Sequence, residues 1–316
     1  MGVVMQLSDR IGRRMKLQDL HVLMTVMQAG SMGKAAQRLK ISQPAVSRSI
    51  TGLEHALGVR LLERHRQGIE ATEYGRALLD CGVAVFDDLR QGVKNIEFLA
   101  DPTTGEVRIG NTLTSAASFV AAVIDRLSRR YSRIVFHVVP AGPDTLCREL
   151  NERNLDLVIA REGGPFKDEQ FGFETLYDDS FVVLAGAQNP WARRRRIALP
   201  ELVNEPWALP PPESSVWEAA MEAFRVSGLD CPRATLVTSS PELRISLLAT
   251  GRFLTIAASA LKFRPPRPEL KVLPVELHMA RVPLGIVTLK NRRLSPVAKL
   301  FIQHAHEVAE SLTKRK

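Results

Sequence analysis

A chain of 316 residues, 45% hydrophobic and 24% charged, has the composition of a soluble globular protein and is too long for one small core, so two or three domains are expected. Its net charge of +9 is uneven: residues 1–71 hold eleven Lys and Arg against five Asp and Glu, the asymmetry of a polyanion-binding head. Cys81, Cys147 and Cys231 are odd in number and lack metal spacing, which argues for a reducing compartment and against a disulfide framework or a zinc site. No apolar run reaches the ~18 residues of a membrane span and no signal-peptide pattern precedes the first domain, so a cytoplasmic location is expected.

Residues 1–14 read as a passive tail, or as a basic arm through Arg10, Arg13 and Arg14, with Met15 an alternative start. From Leu17 the spacing of Leu20, Leu23, Val26 and Met27 predicts a helix, with Gly30 as its stop and Ser31 as the next N-cap. Lys34 to Leu39 is a second helix in which Ala35 and Ala36 allow close packing, and Lys40-Ile41 turns the chain into a third. That third helix, Ser42 to Leu57, buries Val46, Ile50, Leu53 and Leu57 on one stripe. Pro44, Arg48, Thr51 and His55 point the other way, flanked by Gln43 and Ser47. This is either an ordinary amphipathic surface helix or a recognition helix whose arginine grips a base edge. Two extended runs, Gly58 to Arg64 and Ile69 to Thr72, surround the turn His65-Arg66-Gln67-Gly68. They read as a hairpin wing with Arg64 and Arg66 at the phosphate backbone, the alternative being a solvated turn.

Ala35-Ala36, Ser42 to Ser47, Leu53 to Arg64 and Thr72-Glu73-Tyr74-Gly75 together resemble the winged head of LysR-type transcriptional regulators, and the later chain fits that family more loosely. The expected organisation is a tail 1–14, a winged helix-turn-helix 15–72, a linker helix 73–100 and an effector-binding domain 101–316. The linker helix is capped by Thr72 and stopped by Asp101-Pro102. Its apolar stripe through Leu78, Val85, Leu89 and Val93 needs a partner, either the head or a second copy. The resemblance implies that it pairs antiparallel with the same helix of another subunit.

After the hinge Thr103-Thr104-Gly105, alternating strands and helices imply mostly parallel α/β lobes. Lobe I is expected over 105–161 and 267–316, and lobe II over 162–266 with Phe173 to Leu176 among its strands, in the two-lobed manner of periplasmic binding proteins. Parallel strands present ligand sites at their C-terminal ends. There Asn111 to Ser115 offers small donors, which could serve for capping alone. The resemblance implies effector contacts at Thr112, Thr114 and Ser115. Gly142, Arg161 and Leu209 lie at the corresponding openings, Arg161 facing either an acidic effector or a hinge carboxylate. The chain departs from the family at Arg252-Phe253 and at Ser259, which bears on the second lobe's rim.

Arg193 to Arg196 read as a solvated loop and Asp178-Asp179 as a turn. His304 and His306, two apart on a helix, do not share a face as ligands. No catalytic, phosphate-binding or zinc motif is present, so no metal, cofactor or enzymatic activity is expected. The implied partners are double-stranded promoter DNA, a small, anionic effector, a second copy in a homodimer or homotetramer, and RNA polymerase as a further candidate. No membrane partner is expected. The implied function is that of an effector-responsive bacterial transcription regulator. The alternatives are a cytoplasmic solute-binding protein or a bifunctional enzyme with a DNA-binding head.

Overall fold

The computed structural model describes residues 15–65, 68–112, 116–212, 214–258, 268–278 and 281–313. Arg66, Thr114, Ser115 and Ser259 lie outside the described residues. The chain divides into two compact units, Met1–Arg90 and Gln91–Lys316.

In the first unit, α1 (Leu17–Ala29) ends where Gly30 takes a left-handed conformation with φ 68°. The Ser31 side chain accepts from the Lys34 N–H to start α2 (Met32–Leu39), and Ser42 does the same from Ala45 for α3 (Gln43–Leu57). Lys40 closes α2 at φ 54°, a position where a side chain costs about 1–2 kcal/mol. Leu20, Leu23, Val26, Ala35, Ala36, Val46, Ile50 and Leu53 form one core under these helices. β1 (Leu62–His65) and β2 (Gly68–Ala71) then pair antiparallel as the wing. Glu54 holds the wing's entry by accepting from the Leu61 N–H at 2.9 Å.

The Thr72 hydroxyl donates to the Arg60 carbonyl and accepts from the Gly75 N–H at 3.0 Å, which starts α4 (Glu73–Ala100). Two glycines let α4 approach its own head. A Cβ at Gly75 would lie 2.0 Å from the Leu61 carbonyl oxygen, and one at Gly82 3.1 Å from Leu20 and Met24.

The second unit contains two five-stranded sheets. The first has the order β4 (Arg133–Ala141), β3 (Thr104–Thr112), β5 (Leu157–Arg161), β12 (Val282–Leu289), β6 (Phe171–Asp179). The second has the order β11 (Leu270–Val272), β7 (Phe181–Gly186), β10 (Leu254–Ala258), β8 (Trp207–Leu209), β9 (Ala234–Val237). Each sheet is mixed rather than mostly parallel: β3–β4 and β3–β5, and likewise β8–β9 and β8–β10, are parallel, while the remaining pairs are antiparallel. α5 (Ala116–Ser128) and α9 (Pro296–Thr313) cover one face of the first sheet around Val107, Ile109, Phe119, Val123, Ile159 and Phe301. α6 (Pro143–Asn151) covers the other through Leu146 and Leu150. In the second lobe, Trp207, Val216, Phe224 and Ile256 centre a core beneath α7 (Ser215–Val226), and α8 (Pro241–Ala249) packs on β7, β8, β10 and β11.

Two expected boundaries are corrected. Phe173–Leu176 belongs to β6 and pairs with β12 in the first sheet, so the outward crossing falls at Asp179–Phe181 rather than after Arg161. β11 still pairs with β7, and Val275 still bridges Ile197, so the return crossing lies between Val275 and Val282 rather than at 267. Both are antiparallel edge strands, and their hydrogen-bonding partner rather than their composition decides the lobe they join.

Gly75→Ala is expected to destabilise the head by about 1–3 kcal/mol, because the backbone at Leu61 has no room to give. Gly52→Ala, whose Cβ meets nothing in α3, should instead gain about 0.5–1 kcal/mol. Urea melts of the two variants against wild type read the opposite signs.

Candidate DNA interface and effector cleft

Because Val46, Ile50, Leu53 and Ala56 are buried, the rest of α3 is oriented without further choice. Gln43, Pro44, Arg48, Thr51 and His55 are exposed and Ser47 is half-buried. Pro44 sits in the first turn, where its missing N–H costs nothing. Arg64 is exposed on β1. His65 beside it lies 3.5 Å from Glu63, two residues back on the same face of the strand. The face combines a guanidinium and hydroxyls at the start of a helix, the chemistry that reads base edges and phosphates.

The α4 stripe divides into two parts. Leu78, with Leu79 and Phe86, packs against the head's own core, and Val85 is half-buried. Leu89, Val93, Ile96 and Leu99 are exposed and leave an apolar strip along the later turns of the helix. Phe98, on another side of those turns, packs into the core of the first lobe, and Lys94 pairs with Glu106 at 3.2 Å.

In the second unit a buried contact joins the two sheets. Arg161, at the C-terminal end of β5, donates to Asp179 at 2.7 Å, and its guanidinium lies 4.6 Å from the centre of the Phe181 ring. Burial lowers the Arg161 pKa and the Asp179 carboxylate opposes that shift. Phe181 pairs with Ala258, the last residue of β10. The C-terminal edges of the two sheets therefore meet at the crossing, and α5, α6, α7 and α8 all begin along those edges. Four helix N-termini facing one another along these edges, the banks of a cleft, suit a polar or anionic ligand between the lobes.

On the first bank, Thr112 Oγ1, Asn111 Oδ1 and the Tyr177 hydroxyl are buried without hydrogen-bond partners among the described residues. Burial pushes the Tyr177 pKa up, with Asp179 adding to the shift, so the hydroxyl stays protonated as a donor. Gly142 is the exposed N-cap of α6, and a Cβ there would meet nothing. Of the two readings of Arg161, the structure gives the hinge ion pair. Leu209 is corrected: its side chain is buried in the second lobe's core and its carbonyl accepts from the Thr238 N–H, so the side chain does not reach the cleft.

Asp178 and Asp179 end β6 rather than forming a turn, and no metal-binding group occurs among the described residues. His304 pairs with Glu307 and His306 with Glu174, so the two rings are directed apart. Arg252 lines a surface hollow of about 440 Å³ with Trp191, Arg194 and Glu205, at the edge where β10 begins and away from the cleft. No described helix is long and apolar enough to cross a membrane.

Sequence reasoning missed Tyr177 and Arg244. Tyr177 lies just past the expected strand Phe173 to Leu176, itself expected in the other lobe. Arg244 lies in an amphipathic helix, where an arginine ordinarily faces solvent.

Two family profiles match: "LysR substrate binding domain" over residues 100–310 and "Bacterial regulatory helix-turn-helix protein, lysR family" over 17–76. The chain is 26% identical over 304 residues to the HTH-type transcriptional regulator GbpR of Azospirillum brasilense, covering 96% of this chain and 89% of that protein. It is 27% identical over 305 residues to PcaQ of Agrobacterium fabrum, covering 96% and 97%. Among solved structures, a full-length OxyR variant from Pseudomonas aeruginosa shares the fold with a TM-score of 0.64 at 21% identity, covering 94% of this chain and 95% of that one. CbnR, solved in complex with its target DNA, does so at 0.55 and 20%, covering 93% and 100%. With its winged head, long helix and two-lobed domain each in place, the chain belongs to the LysR family of bacterial transcriptional regulators.

Proposed function

We propose that the protein binds promoter DNA through α3 and the wing as a dimer or tetramer seamed along α4. A small anionic metabolite in the interlobe cleft then changes how the paired heads engage the DNA. The observation that carries this reading is the division of α3 into a buried Val46, Ile50, Leu53 stripe and an exposed Gln43, Pro44, Arg48, Thr51 face. Arg48 reads a base and Ser47 supports it, while Arg64 and Arg66 position the phosphate backbone. Thr112, Thr114 and Ser115, with Gly142 at the next helix start, supply the first lobe's side of the effector site. The role is regulatory rather than catalytic and is exercised in the cytoplasm. GbpR and PcaQ are named as transcriptional regulators, and CbnR was solved on DNA, which supports the same role here. RNA polymerase is the further partner through which a bound regulator would act.

Arg48→Ala is expected to weaken binding to the cognate site by about 1–3 kcal/mol and to flatten base preference there. Arg66→Ala should weaken all sequences alike and reduce the salt slope by about one. Fluorescence anisotropy on the upstream DNA and on single-base site variants separates the two effects. Unchanged base preference in Arg48→Ala would remove it from recognition.

Leu89 is exposed in the single chain, so Leu89→Glu should leave the fold intact while placing a charge in the seam. Sedimentation is expected to shift toward monomer and DNA affinity to fall. A variant that remains fully oligomeric at low micromolar concentration rules out this seam.

A further inference from the structure

The first turn of α8 presents the wrong residue to the protein interior. Leu243 is 45% exposed, whereas Arg244 beside it is 7% exposed and, with Leu248, forms the side packed on the second sheet. A helix that turns leucine out and a cation in gives up apolar burial and carries a desolvation cost as well. Among the described residues the Arg244 Nε–H has no acceptor and no carboxylate forms an ion pair with the side chain. Glu242, the nearest opposing charge, is exposed and accepts instead from the Ser240 hydroxyl. Arg161 and Arg292, the other arginines buried to this degree, each have a carboxylate partner, Asp179 and Asp156. Burial lowers the Arg244 pKa, but a guanidinium remains charged in a protein, so the site holds a positive charge with no counterion of its own.

The topology fixes where that charge sits. α8 connects β9 to β10, and both run parallel to β8. Its N-terminus therefore stands at the C-terminal edge of the second sheet, the edge that Phe181 shares with the end of β10 and that meets Arg161 of the first lobe. Arg244 is the fourth residue of the helix, within the first turn, where the helix dipole also favours an anion.

We propose that Arg244 anchors a small carboxylate in the interlobe cleft. The proposal rests on the cleft being the effector site and adds the ligand's charged group and its anchor on the second lobe. A carboxylate fits better than a phosphate for two reasons. The Nε–Nη edge presents two parallel donors that match a planar carboxylate, and one cation balances one negative charge where a phosphate dianion would stay half neutralised.

The test uses the full-length protein with acetate, succinate and benzoate as probes against sodium chloride at equal ionic strength, by thermal shift and calorimetry, on wild type, Arg244→Met and Arg244→Lys. At least one carboxylate is expected to stabilise wild type beyond the chloride control. Arg244→Met should lose about tenfold or more in affinity for it. Arg244→Lys, which keeps the charge without the fork, should fall between. Ligand-free Arg244→Met should melt at or above wild type, because it removes an unpaired buried charge. The proposal is overturned if no probe stabilises wild type, if Arg244→Met binds equally well, or if that variant loses ligand-free stability, which would make Arg244 structural. DNA anisotropy with and without the bound probe separates the two layers. A carboxylate that alters DNA affinity equally in wild type and Arg244→Met keeps the regulator reading and removes the anchor. One bound through Arg244 that leaves DNA affinity unchanged keeps the anchor and removes the effector reading.

Discussion

The central strand of the first lobe, β5, is clamped at both ends by a buried arginine–carboxylate contact, and the cleft depends on the upper clamp. At the lower end Asp156 accepts from the Arg108 N–H at 2.9 Å and pairs with Arg292 at 3.3 Å, while Arg292 also donates to the Leu155 carbonyl. At the upper end Arg161 reaches Asp179 and stacks on Phe181. Every residue of β5 is buried, so neither charge can be relieved by water. Removing one partner of such a pair leaves the other stranded, at a cost of about 3–5 kcal/mol. These contacts therefore define geometry more than they add net stability. Asp179 and Phe181 flank the single residue through which the chain leaves the first sheet for the second, so the Arg161 contact sets where one lobe starts relative to the other.

From that constraint follows a division of mechanical roles inside the second unit. The last turns of α4 are fastened to the first lobe by Phe98 in its core and by the Lys94–Glu106 pair, and therefore move with it. The second lobe is attached through the Asp179–Phe181 crossing and the return between Val275 and Val282. A ligand that draws the lobes together acts across those two crossings, and the first lobe passes any displacement to the helix fastened to it. Binding energy alone does not produce the displacement. The ligand must contact the two arrangements unequally.

The head was legible in the sequence almost residue by residue, because its signals are local. Ser31, Ser42 and Thr72 as caps, Gly30 as a stop, and the Val46–Ile50–Leu53 period each act within a turn or two of chain. The effector domain was legible as a class but not in its partition. β6 and β11 join their sheets by pairing with strands distant in sequence, and nothing in Phe173-Glu174-Thr175-Leu176 indicates which sheet supplies the partner. Arg161 could be narrowed to a ligand contact or a hinge pair, and only the position of Asp179 decided between them. Leu209 was placed on the correct edge but on the wrong side of it, since a three-residue strand buried at every position shows no alternation to read. Arg244 was missed because an arginine on a helix ordinarily faces solvent, and here Leu243 does so instead.

A charge held in that inverted position is useful only in combination. Moving a two-state equilibrium from one strongly favoured arrangement to the other takes about 5.5 kcal/mol of differential binding. A hydrogen bond to a charged group contributes about 1.5–3 kcal/mol, so Arg244 alone falls short, and a ligand touching only the second lobe would bind the open and closed arrangements alike. The shortfall has to come from groups that reach the ligand only when the lobes approach. The first bank holds such groups in the Tyr177 hydroxyl, Thr112 Oγ1 and Asn111 Oδ1, all buried without partners among the described residues. Each leaves a desolvation cost unmet until something donates to it or accepts from it. A charge awaiting a counterion on one lobe and unsatisfied neutral groups on the other favour a ligand with a carboxylate at one end and hydrogen-bonding groups at the other. A ligand that bridges the lobes in this way has an affinity that depends on their separation.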